Sequence, residues 1–301
     1  MAEHSEKQEE EDNDTNNDER SFFQLVDDSI LQHICRHMIQ QERYHDVSLL
    51  LRTNQRFRNV CQELLNQEYQ RLCSQPPTWI KYGTKMWNDS DDKLHRDFGL
   101  PAIIQVDGTK MWYQHGKRHR GGGDLPAIEM ADGYRAWYYN GKLHRGGHLN
   151  LPAVIHKNGH RAWYINGELH RDGDLPAIEH ADGTREWYIN GQRHREGDFP
   201  AIEYANGDRQ WWKNGHRHRG GNLNLDLSLP AIENVNGHRA WYINGQLHRD
   251  GNLPAIIHAN GSLEWYKHGR LHRDGNLPAI EETNGYRAWY INGDFQRSES
   301  P

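Results

Sequence analysis

The chain reads as a mainly β protein: an elongated array of stacked β-hairpin repeats behind a small N-terminal three-helix unit. Three observations predict this. Prolines at 101, 126, 152, 176, 200, 230, 254 and 278 form a ruler, mostly 24 to 26 residues apart. A tryptophan follows each of the eight prolines by eleven residues, and glycines follow at seven and fifteen. Asp or Asn precedes the first of those glycines in every unit, which is the strongest short-range hairpin signal. A fixed period of this length marks a repeat architecture, because one hairpin buries too little surface to stand alone.

Composition fits thin layers better than one large core. Only 35% of the 301 residues are hydrophobic and mean hydropathy is -1.05. Eleven tryptophans and fourteen tyrosines against six phenylalanines supply apolar faces that keep a polar handle.

The elements follow in order. Residues 1–20 carry nine Asp/Glu against Lys7 and Arg20, the composition of a disordered acidic tail. Residues 21–75 show helical periodicity. Asp27 is placed to cap a helix near 28–40 carrying Ile30, Leu31, Ile34, Cys35 and Met38. Asp46 caps a short second helix, and Phe57, Val60, Cys61, Leu64 and Leu72 mark one face of a third. Repeats occupy 79–297 as eight full units plus a partial leading unit, in which Gly83-Thr84-Lys85-Met86-Trp87 echoes Gly108-Thr109-Lys110-Met111-Trp112. The one long interval puts its extra residues in 221–229, which predicts a loop there.

In the unit that starts at Pro176, a two-residue type I′ turn at Asp182-Gly183 would pair Glu179 with Glu186 and Ile178 with Trp187. Alternation then puts Ile178, Arg185, Trp187 and Ile189 on one face and Ala177, Glu179 and Tyr188 on the other. The tryptophans at 112, 137, 163, 187, 211, 241, 265 and 289 are the expected repeat core: Trp112, Trp137, Trp163, Trp187, Trp211, Trp241, Trp265 and Trp289. Asn190-Gly191 turns the chain a second time.

Several function classes are disfavoured. A net charge of -6 gives a nucleic-acid binder no basic excess. Three cysteines without CxxC spacing suggest neither a disulfide framework nor a zinc knuckle. No leader and no apolar run of about 20 residues is present, so no transmembrane segment is expected. The expectation is an intracellular protein, cytoplasmic or nuclear.

The pattern Asp182-Gly-Thr-Arg-Glu-Trp-Tyr-Ile-Asn-Gly-Gln-Arg-His-Arg resembles the MORN repeat over about residues 79–297, with Arg where that family ends on Gly. Leu25-Val26, Asp28, Ile30, Ile34, Asp46, Leu49, Leu50, Asn54, Phe57 and Cys61 resemble an F-box. That resemblance implies docking of a Skp-type adaptor through Leu25, Val26, Ile30, Ile34 and Leu50. An F-box followed by such repeats is similar to proteins encoded by giant DNA viruses of amoebae, which implies a host-interaction or virion role.

The His-Arg pair recurs at 95, 119, 144, 170, 194, 218, 248 and 272. Equivalent histidines in stacked units would lie roughly 10 Å apart, too far to share one ion, so no metal and no cofactor is expected. The pairs His119-Arg120, His144-Arg145, His170-Arg171, His194-Arg195, His218-Arg219, His248-Arg249 and His272-Arg273 are read first as fasteners of the inter-repeat loop. A stripe for anions, such as phosphorylated partners or lipid headgroups, is the lesser reading. Five glutamates at the third position (129, 179, 203, 233, 281) read as a charge ladder. The expected function is non-catalytic protein interaction, as a substrate-recognition adaptor of a cullin-type ubiquitin ligase whose repeats bind the target. The alternative is a structural or virion-associated scaffold using the ribbon as spacer or glue.

Overall fold

The computed structural model of the protein describes residues 31, 34, 35, 55–121, 124–146, 150–219 and 229–301. Two compact units are present: residues 1–105, 112–116 and 121–123 form the first, and residues 106–111, 117–120 and 124–301 the second. The chain is mainly β, with 33 short strands among the described residues.

In the first unit, the helix Gln55–Ser74 buries Phe57, Cys61 and Leu72, the face its periodicity predicts. Leu31 and Cys35 are also fully buried, and the Cys61 Sγ lies 3.7 Å from the Leu31 carbonyl. The rest of the predicted first helix and the whole second one lie outside the described residues. After Pro77, strands Trp79–Lys81 and Thr84–Met86 close a hairpin, and Met86 pairs on with Ile103. This first turn, Tyr82-Gly83, has φ of 50° and 80°, the type I′ signature.

The second unit is a ladder of repeats, each built from two hairpins. The first hairpin pairs Ile178–Glu179 with Arg185–Glu186, and the latter strand pairs on with Ile202–Glu203 of the next unit. Repetition of this step makes one antiparallel ladder that runs from Lys110–Met111 to Asp294–Glu299. It passes without interruption from Gln210 to Ile232, so the long interval adds nothing to the ladder; residues 220–228 of that interval lie outside the described residues. A second hairpin, Tyr188–Ile189 with Gln192–Arg193, forms a separate two-stranded ribbon, and the same ribbon recurs in the units that start at Pro126, Pro152, Pro200, Pro230 and Pro254.

The first turn differs from the expected assignment. Gly183 N–H donates to the His180 carbonyl at 3.1 Å and His180 N–H to the Thr184 carbonyl at 2.8 Å. Only Gly183 (φ 94°) has positive φ there, so this is a type I turn closed by a G1 bulge, one residue longer than predicted. Asp182 serves by its side chain instead: its Oδ1 accepts the Thr184 N–H at 2.8 Å. The type I′ turn belongs to Asn190-Gly191, where φ is 48° and 76°. With that register Ile178 faces Glu186 and Glu179 faces Arg185.

Trp187 therefore does not continue the alternation. It stands between the two strands as a corner, its N–H donating to the Ala201 carbonyl of the next unit and its own carbonyl accepting from His194 N–H. Glu186 and Trp187 are adjacent in sequence and both buried, while Arg185 and Ile189 are exposed. The expected face shared by Ile178, Arg185, Trp187 and Ile189 is thus corrected. Alanines at the first position are fully buried from unit to unit. In the last unit the two hairpins merge into Arg287–Ile291 against Asp294–Glu299, with a register shift after Trp289. The final strand is exposed throughout and Gln296 bonds only locally, to the Asp294 carbonyl.

Candidate functional site

The eight predicted core tryptophans are buried, none more than 7% exposed. The Trp187 Nε1–H donates to the carbonyl of Asp174, thirteen residues earlier, at 3.1 Å, and the bond recurs at Trp163, Trp211, Trp265 and Trp289. The faces of six of these indoles carry a guanidinium. Arg145, Arg171, Arg195, Arg219, Arg249 and Arg273 sit 3.6 to 3.9 Å over the ring of their own unit. Each of these indoles is thus covered by the arginine of its own unit.

Each guanidinium then reaches across units. Arg195 holds Asp174 with Nε and Nη2 at 2.9 and 3.1 Å, and its Nη1 donates to the Pro200 carbonyl and to Glu203. Arg219 repeats this with Asp198, Pro230 and Glu233. Arg145 takes Asp124 and the Pro152 carbonyl. Arg120, Arg171 and Arg273 bond the next proline carbonyl and Glu129, Glu179 and Glu281. All five glutamates at the third position are engaged in this way. Arg249 differs: Ile257 stands where the glutamate would be, and its Nε has no partner among the described residues. Burial alone pulls the Arg249 pKa below its usual value.

The histidines fasten the second hairpins. His170 Nδ1 accepts the N–H of Asn190 in the next unit at 3.2 Å, while its Nε2 lies 3.0 Å from Asp172. Acceptance at Nδ1 leaves the ring proton on Nε2. His119, His144, His194, His218, His248 and His272 accept equivalently from residues 140, 166, 214, 244, 268 and 292. His-Arg pairs and their acids are thus placed where the fastening role requires, between consecutive units.

One repeat position was missed in the sequence: the tenth after proline. It is alanine in four full units and fully or nearly buried. Where it is Glu186, His180, the Tyr188 hydroxyl and Arg193 converge on the carboxylate at 2.8, 2.9 and 3.0 Å. Glu264 is met by His258 and Tyr266 in the same way. Gln210 bonds Tyr204 and Trp212. Burial pulls the Glu186 carboxyl upward, but the bonds from His180 and Tyr188 and the Arg193 charge outweigh it and hold the group below its ordinary value. Burial and the neighbouring carboxylate raise the Tyr188 hydroxyl to about 12. The signal was legible as an acid in the alanine column matched by His two residues before the Asx-Gly turn.

What remains outside this fastening is an exposed surface. Leucine or phenylalanine before each proline leaves Leu125, Leu175, Phe199, Leu253 and Leu277 at least 40% exposed. Tyr139, Ile165, Ile189 and Ile291 make a second exposed row at the thirteenth position. A groove of about 220 Å³ opens between the 194–199 loop and Trp212, lined by Arg195, Phe199, Trp211, Trp212, Lys213 and Arg219 among others. Of the predicted adaptor-binding residues, Leu25, Val26, Ile30 and Leu50 lie outside the described residues; Ile34 is helical and half-buried. No helix among the described residues is long and apolar enough to cross a membrane. The chain matches no protein-family model and no curated protein.

Proposed function

We propose that this is a non-catalytic interaction protein whose repeat array captures a protein target and whose F-box-like segment engages a Skp-type adaptor of a cullin-type ubiquitin ligase. The observation that supports the binding role is the division of labour within the unit. Recurrent Trp, Arg, His and Glu face inward or across to the next unit, whereas the exposed positions repeat apolar side chains in rows. Rows of this kind mark interaction surfaces in a soluble array. The groove at Phe199 and Trp212 is smaller than the roughly 300–1,000 Å³ typical of small-molecule sites and suits a single side chain of a partner, with Lys213 beside it for an acidic neighbour.

The test is affinity capture with the full-length chain followed by identification of bound proteins. Ile30→Asp removes the adaptor and leaves the target; Phe199→Ser with Leu175→Ser and Leu253→Ser removes the target and leaves the adaptor. Capture of neither, or loss of both together in a folded variant, refutes the reading.

A further inference from the structure

Asp89, His95 and His115 bring a carboxylate oxygen and one nitrogen of each imidazole within 4.8 Å of one another. They come from three different places in the repeat pattern. His95 is the leading unit's His-Arg histidine, and its Nδ1 accepts the His115 N–H at 3.1 Å. His115 fills a turn position that is asparagine in six other units, with φ of 46°. Its ring stacks on His95 with centroids 4.3 Å apart. Asp89 comes from an irregular loop found only here, because Trp87 and His95 are eight residues apart where other units have seven.

The loop pins Asp89 in place. One carboxylate oxygen accepts the N–H groups of Asp91 and Lys93 at 3.0 and 2.9 Å. The other lies 2.8 Å from His115 Nδ1. Behind His95, Asp97 lies 3.0 Å from Nε2, the outer carboxylate that orients ligating imidazoles in metal sites. His115 is 60% exposed and can rotate, while the Asp89 side chain is 12% exposed and fixed.

We infer that Asp89, His95 and His115 form a binding site for one divalent transition-metal ion of the zinc class. Two imidazoles and one carboxylate are the donor set of borderline ions, whereas calcium and magnesium take oxygen ligands. Donors around such an ion stand about 3.4 Å apart, since metal–ligand bonds are about 2.0–2.2 Å. The three donors, all within 4.8 Å of one another, draw in to that spacing when the ion binds. The ion replaces the proton shared by His115 and Asp89 and displaces the His115 N–H from His95 Nδ1; water completes the coordination.

The molecule supplies its own control. His268 occupies the same turn position and stacks on His248 at 4.4 Å, with no counterpart of Asp89 beside it among the described residues. Zinc binding to the full-length chain, measured by calorimetry and by the visible spectrum of the cobalt-substituted protein, is compared in wild type, His115→Asn, His268→Asn and Asp89→Asn. Asparagine is the residue most units carry at this turn, so both histidine variants keep the fold, checked by circular dichroism. The expected result is one equivalent fewer in His115→Asn, no change in His268→Asn, and weakened zinc affinity in Asp89→Asn, which removes a charged ligand. Equal stoichiometry in wild type and His115→Asn, equal loss in both histidine variants, or equal calcium and zinc affinity overturns the assignment.

Discussion

Replacing Arg195 with leucine tests the fastening of one unit to its neighbours. The side chain is 12% exposed and holds Asp174, the Pro200 carbonyl, Glu203 and the Trp187 ring face at 3.9 Å. The two acids are 54% and 35% exposed, so each pair contributes no more than about 1 kcal/mol. The carbonyl bond adds about 1 kcal/mol and the desolvated cation–π contact about 1–2 kcal/mol. Leucine keeps part of the apolar cover, which brings the expected cost to roughly 3 kcal/mol. Arg249→Leu is the matched comparison. Arg249 bonds the Pro254 carbonyl and covers Trp241, but it meets no carboxylate and leaves its Nε without a partner among the described residues. Its removal is expected to cost about 1 kcal/mol, because a buried unsatisfied donor leaves with it. Repeat arrays open locally, so the assay is native-state hydrogen exchange at the Trp187 and Trp241 amides, which bond the next unit's alanine carbonyl. Costs equal within about 0.5 kcal/mol would refute the cross-unit role of the arginines.

Further outcomes follow from the same geometry. Glu186→Ala restores the common residue at a position where the folded carboxyl is held below its ordinary value. Wild type is therefore stabilised by ionised Glu186 at neutral pH, and its advantage fades as pH falls through the acid range; chemical denaturation of both chains at several pH values between about 3 and 7 measures it. Tyr188 is raised to about 12, so its neutral form is favoured in the fold and that contribution is lost as pH rises above about 10; ultraviolet titration shows a late phenol that Tyr188→Phe removes. Gly191→Ala places a side chain at φ 76° where the new Cβ meets only ordinary contacts, so its cost of about 1–2 kcal/mol is conformational, and Asp182→Ala lowers stability through one lost turn bond; denaturation midpoints read both. Cys73 is exposed whereas Cys35 and Cys61 are buried, and burial pushes the Cys61 thiol up, so maleimide labels Cys73 in the folded chain and the other two only in denaturant.

The repeat was legible because its punctuation is chemical. Proline starts each unit, Asx-Gly closes the first hairpin of each and most of the second ones, and an indole at one fixed phase marks the core. Two turns were visible, but the first was given the wrong type. Asp182-Gly183 satisfies the type I′ signal and the G1 bulge alike, and only the inter-unit register distinguishes them: Glu186 must lie opposite both Ile178 and Ile202. Strand alternation failed at Trp187 because the chain turns a corner there, which no two-residue period anticipates. The guanidinium over six of the core indoles was not legible either, since the fixed spacing of Trp and Arg gives no direction to the side chains. Asp89 escaped notice because a single extra residue in the leading unit carries it outside the repeat alignment, and His115 because His-Gly turns resemble Asn-Gly ones.

The most direct test of the architecture is the exchange pattern of the second-turn amides across the whole array. Gly141, Gly167, Gly191, Gly215, Gly245, Gly269 and Gly293 each donate to a carbonyl of the preceding unit at 2.8 to 3.0 Å, and no bond within their own hairpin would protect them equally. Slow exchange at all seven, weakened locally at Gly215 in Arg195→Leu, is the predicted result. Fast exchange at these amides while the hairpins themselves stay protected would show that the units fold without being joined.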